Sequence, residues 1–169
     1  LCARPVVGDE PFFIHLADDL IDADVPCFKQ MADVYAEHGG SILGVEPVAP
    51  SETDKYGIVA TEDKHGRLAR VRQIVEKPRP QNAPSNLAVV GRYLLSPRIF
   101  DKLQHTGRGA GGEIQLTDAI AEEVGGQAGV YGFRFRGQRY DCGSKAGRPA
   151  SCMKPILPLG LARKSLRCS

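Results

Sequence analysis

The 169-residue chain contains no run approaching the ~20 apolar residues that a bilayer-spanning helix requires, so a transmembrane anchor of that kind is excluded and a soluble protein is expected. It also lacks a charged n-region followed by an apolar h-region. Because Leu1 stands where an initiator Met would, the start reads as a truncation rather than a processed signal. No CxxC pair occurs among the five cysteines at 2, 27, 142, 152 and 168, which makes a disulfide framework or zinc site unexpected and points to a reducing cytoplasm. Neither sign of charge dominates: 22 Lys and Arg face 20 Asp and Glu, and a net +2 gives no reason to expect a nucleic-acid partner. A P-loop and a nucleophile elbow are absent too, and His15, His38, His65 and His105 have no metal-ligand spacing.

What is present alternates. Residues 12 to 16 form a short apolar strand ending in Ala17, Asp18 and Asp19, followed by a helix with Pro26 in its first turn. In that helix Phe28, Met31, Ala32 and Tyr35 recur at helical spacing, and Gly39 and Gly40 provide the stop. A strand over 41 to 48 would complete a βαβ unit with a parallel pair. Residues 56 to 60 and 68 to 75 flank a polar segment and predict a hairpin whose exit carries Glu76 and Lys77. A strand over 87 to 95, a short helix opened by Ser96 and Pro97, a glycine-rich loop from 107 to 112, a helix around 116 to 124 with Thr117 as its cap, and a strand over 130 to 135 follow. The pattern predicts an α/β fold with a mixed, mostly parallel sheet.

Asp18 and Asp141 each fall just past a strand, where open α/β sheets bind ligands. Two such carboxylates suit Mg²⁺, which takes one or two protein carboxylates and fills its shell with water and substrate phosphates. For an Asp taken alone, capping a loop is the commoner role. Glu76 can accept hydrogen bonds from neighbouring sugar hydroxyls while Lys77 offers a compact charge to a phosphate, although a surface ion pair has the same composition. Gly57 and Gly91 would allow close backbone approach to a ligand, or mark a bulge.

The segments HLADDLID (15 to 22), KYGIV (55 to 59), VEKP (75 to 78), APSNLAVVGRYLLS (83 to 96), GGEIQLTDAI (111 to 120) and YDCGSK (140 to 145), taken in order, resemble the bacterial UTP:glucose-1-phosphate uridylyltransferases (UDP-glucose pyrophosphorylases). The resemblance implies a nucleotide-diphospho-sugar transferase fold, Rossmann-like and here incomplete, and a cytoplasmic enzyme forming UDP-glucose and pyrophosphate from UTP and glucose 1-phosphate. By the same resemblance Asp18 and Asp141 hold catalytic Mg²⁺, Glu76 binds glucose hydroxyls, Lys77 reaches the sugar phosphate, and the Gly57 backbone approaches the sugar. Asp18, Lys77 and Asp141 are thus the expected catalytic residues. The full-length family commonly forms homo-oligomers.

The family's Gly-rich loop, of G-x-G-T-R type, and its uracil-recognising segment are expected to precede Leu1. Residues 1 to 145 therefore read as a partial nucleotidyltransferase domain, its sugar-phosphate and metal half, expected to be inactive alone. Residues 146 to 169 read as a non-family tail, disordered or frameshifted: the body carries a net −3 and the tail +5 with no acid. Translating the coding DNA in its other frames beyond codon 146 tests the frameshift. Two rival readings stay open, a sibling nucleotidylyltransferase using dTTP or ATP and a non-catalytic sugar-phosphate-binding remnant.

Overall fold

The computed structural model describes residues 1–62, 66–109 and 112–143. The tail from 146 to 169, the tip of the predicted hairpin and part of the glycine-rich loop lie outside the described residues.

Strands β1 (Phe12–His15), β3 (Ser41–Pro47), β4 (Gly57–Thr61), β5 (Leu68–Glu76), β6 (Leu87–Leu95) and β7 (Val130–Phe133) form one sheet in the order β1-β6-β3-β7-β5-β4. The start of β6 also pairs with β4, so the sheet turns back on itself at that end. Among these pairings only β3 with β7 is parallel; the others are antiparallel. The α/β class and the mixed sheet agree with the sequence, but the expectation of a mostly parallel sheet does not hold for the described residues. The physical reason is β6. It inserts antiparallel between β1 and β3, so the two strands that the sequence pairs directly are parallel to each other without touching.

Helices α2 (Cys27–His38), α3 (Ile99–His105) and α4 (Leu116–Val124) cover the two faces, and a single turn, α1 (Arg4–Val7), precedes β1. On one face Ile99, Phe100, Ala119 and Ile120 from α3 and α4 pack on Leu43, Val45, Val59 and Val71. On the other, Cys27 and Met31 from α2 meet Ile42, Leu94 and Phe133. Neighbours Ile42 and Leu43 serve opposite cores because successive strand side chains point to opposite faces. Five consecutive buried residues at the start of β3 follow from both faces being covered. Helix α2 stops where expected, with Gly39 at φ +67° donating its N–H to the Tyr35 carbonyl at 2.8 Å.

A second, two-stranded sheet joins β2 (Asp19–Asp22) to β8 (Gln138–Asp141), antiparallel, with Asp19 opposite Asp141. Sequence periodicity did not distinguish these two strands, which are four residues each and rich in polar side chains. Asp141 consequently ends a strand rather than lying beyond one, and Asp19 begins a strand of its own.

Candidate functional site

One cavity of about 520 Å³ is lined by Asp18, Gly57, Glu76, Lys77 and Asp141 together. All five residues expected from the sequence line it, although they come from four separate segments, Glu76 and Lys77 being neighbours. A second cavity of about 550 Å³, beside α2, contains none of them.

The two aspartates converge through the short sheet. Asp18 precedes β2 and its carbonyl accepts the Cys142 N–H at 2.7 Å, while the Asp141 carboxylate accepts the Gly143 N–H at 2.9 Å. A Cβ placed on Gly143 would lie 3.1 Å from Asp18 Oδ2 and 3.3 Å from Asp141 Oδ1. The two carboxylates therefore cradle one small open space, and a pair of hard oxygen donors at a cavity wall fits a divalent cation that completes its shell with phosphate and water. Among the described residues no cluster of three or more His, Cys, Asp or Glu forms a closed metal site.

Across the cavity, Glu76 ends β5 opposite Gly57 in the register of β4. Its Oε2 accepts a hydrogen bond from the Thr117 hydroxyl at 2.5 Å, and its Oε1 lies 3.8 Å from Lys77 Nζ. Thr117 was expected to cap α4. It does not: the residue at the cap is Gln115, and the Thr117 hydroxyl is spent on orienting Glu76. Lys77 is the one non-glycine residue with positive φ among the described residues, at +44°, and its N–H donates to the Tyr56 carbonyl at 3.0 Å. A left-handed lysine costs of order 1 kcal/mol, and the surrounding structure holds it there so that its ammonium stays exposed beside Glu76.

Gly91, at φ +61°, lines the same cavity and is also required by packing. A Cβ there would fall 2.5 Å from Asp19 Oδ2 and 3.0 Å from Leu16 Cβ, so only glycine lets the loop bearing Asp18 and Asp19 lie against β6. Beside it the buried Arg92 donates to the carbonyls of Leu16, Gly91 and Asp19, bracketing Asp18 from below. Burial pushes the Arg92 guanidinium down from its ordinary value against the opposing pull of Asp19.

Sequence reasoning missed Arg139, which lines the same cavity. Its side chain is 8% exposed and bridges Asp19 at 2.5 Å and Glu46 at 2.9 Å, with the guanidinium 5.1 Å from the centre of the Tyr56 ring. Burial alone would lower its pKa, but hydrogen bonds with Tyr56, Glu46 and Asp19 outweigh that and raise it, so the cation is permanent. The available signal was its position: two residues before Asp141 in a strand, hence on the same face. Tyr93, also at the cavity, is pushed up to about 12 by burial and by the nearby Glu76 and Asp19 carboxylates, and stays a neutral phenol.

The model of the nucleotidyl transferase family matches residues 1–147. Among curated proteins, the UTP–glucose-1-phosphate uridylyltransferase of Staphylococcus epidermidis is 49% identical over 145 residues, and uridylyltransferase 2 of Staphylococcus saprophyticus is 50% identical over the same length. Each alignment covers 86% of this chain and 50% of the relative, so the chain spans about half the length of these relatives. Among solved structures, a UDP-glucose pyrophosphorylase complexed with UDP-glucose superposes with a TM-score of 0.81 at 41% identity, covering 86% of this chain and 56% of that one.

Proposed function

Because the chain belongs to the nucleotidyl transferase family, we propose that it supplies the sugar-phosphate and metal side of uridylyl transfer from UTP to glucose 1-phosphate. The observation that carries this reading is the gathering of Asp18, Gly57, Glu76, Lys77 and Asp141 around one cavity. The likeness to proteins named for UTP and glucose 1-phosphate supports the choice of substrates, and the reaction belongs in the cytoplasm.

Glu76, held by Thr117, accepts hydrogen bonds from adjacent hydroxyls of the glucose ring, while the Gly57 backbone lies close enough to admit the ring face. Lys77 offers its ammonium to the phosphate of glucose 1-phosphate. Mg²⁺ held by Asp18 and Asp141 would neutralise charge on the nucleotide phosphates and the developing pyrophosphate. A phosphate oxygen of the sugar attacks the α-phosphorus of UTP, the new P–O bond forms, and the bond to the leaving pyrophosphate breaks. That oxygen is already ionised near neutral pH, so no general base is required and the protein contributes alignment and charge.

Calorimetric titration with glucose 1-phosphate, with and without Mg²⁺, tests the binding role, and pyrophosphate release from UTP, dTTP or ATP tests the reaction. Binding of glucose 1-phosphate but not of glucose at comparable affinity is expected. No binding of the phosphate ester would sink the reading, and release with dTTP or ATP but not UTP would replace it with a sibling activity.

A further inference from the structure

Arg139 touches three segments of the cavity wall: Asp19 at the start of β2, Glu46 near the end of β3, and Tyr56 just before β4. Removing a guanidinium from water costs several kcal/mol unless its partners repay it, and here two carboxylates and a phenol do so. The chain devotes this arrangement to the space between the two halves of the site. On one side Arg139 shares a face of β8 with Asp141, two residues on, and grips Asp19, the neighbour of Asp18. On the other, Tyr56 adjoins Gly57, and its carbonyl fixes the Lys77 N–H at 3.0 Å, within the left-handed turn that aims Lys77.

Arg139 thus contacts both the strand pair carrying the aspartates and the segment carrying Gly57. We propose that Arg139 is a positioning residue that couples cation binding at Asp18 and Asp141 to the conformation of the sugar-phosphate arm at Tyr56, Gly57 and Lys77. This rests on the site reading above for what occupies each half. The part assigned to Arg139 is positioning rather than substrate contact, since its Nε and one terminal nitrogen are engaged by Asp19 and Glu46. Cation binding draws Asp18 and Asp141 together, shifts Asp19 and β8 with them, and the rigid guanidinium fork passes that shift to Tyr56 and hence to Lys77.

Amide chemical shifts of the ¹⁵N-labelled chain, titrated with Mg²⁺ alone, test the coupling. In the unsubstituted protein the Asp141 and Gly143 amides are expected to move with Mg²⁺, and the Gly57 and Lys77 amides to move along the same binding curve. In Arg139→Lys, which keeps the charge and loses the fork, the shifts at Asp141 and Gly143 should persist while those at Gly57 and Lys77 fall by at least half. In Arg139→Met they should vanish. Should Arg139→Met fail to fold, Arg139→Lys and Tyr56→Leu carry the test, since Tyr56→Leu removes the ring that faces the guanidinium and should reduce the distant response alone. A purely architectural role would lower the unfolding temperature without changing which amides respond. Undiminished response at Gly57 and Lys77 in Arg139→Lys and Tyr56→Leu, or no response there in the unsubstituted protein, overturns the proposal. Titration of the same amides with glucose 1-phosphate judges the substrate assignment separately, because its failure would leave the Mg²⁺ result standing.

Discussion

Lys77 combines two properties that a sequence shows only one of. Its charge is legible; its left-handed backbone at φ +44° is not, because nothing in a Glu-Lys-Pro string demands it. Lys77→Ala and Lys77→Gly should both weaken glucose 1-phosphate binding while leaving glucose binding little changed. Only the glycine relieves the backbone, so in urea unfolding Lys77→Gly should be more stable than Lys77→Ala by about 1 kcal/mol. Asp141→Asn removes one of two anionic donors from the cradle over Gly143. At an effective dielectric between those of water and a protein surface this costs about 1 to 4 kcal/mol, roughly fivefold to several hundredfold in affinity, which Mn²⁺ binding followed by electron paramagnetic resonance would read. Unchanged Mn²⁺ affinity in Asp141→Asn would remove Asp141 from the metal role.

Among the elements, β6 decides most. It separates β1 from β3, pairs with β4 at its start, and at Gly91 receives the Asp19 carboxylate. Gly91→Ala puts a Cβ into that carboxylate at a left-handed position, and a loss of about 1 to 3 kcal/mol in denaturant stability is expected, with a weaker Mg²⁺ response at Gly143. Stability and Mg²⁺ response both equal to the unsubstituted protein would show that the loop can yield there. Helices α2 and α4 and the β4–β5 hairpin were legible because apolar spacing, glycine stops and polar turns are local signals. The short pair β2 and β8 was not, since its four-residue strands are specified by partners about 120 residues apart in sequence. The same reason misassigned Thr117: next to a helix start its hydroxyl looks like a cap, and only Glu76 folding against it reveals where the proton goes.

At the scale of the whole molecule, stability should depend on Glu123, which the proposed chemistry does not use. Its carboxylate accepts a hydrogen bond from Ser41 at 2.9 Å, joining α4 to the start of β3. Burial raises its pKa, with Ser41 and Ser96 pulling the other way. An acid whose folded pKa is raised holds its proton more tightly when folded, so its contribution is full below the ordinary carboxylate value of about 4.3 and is lost as pH rises through the folded value. Glu123→Gln stays neutral throughout. The unfolding temperature of Glu123→Gln relative to the unsubstituted protein should therefore rise as pH goes from 4 to 7; a constant difference would contradict the assignment. By itself the sequence determined the α/β class, the helices and the hairpin, and it singled out five residues that line one cavity, because hydrophobic periodicity, turn chemistry and the side chains suited to sugar, phosphate and cation are properties of short segments. Only the tertiary structure decided that the sheet is mainly antiparallel among the described residues, that Asp18 meets Asp141, and that Arg139 joins Asp19 and Glu46 beside Tyr56. Those depend on strand pairing and buried charge partners across long stretches of chain, which local patterns do not encode.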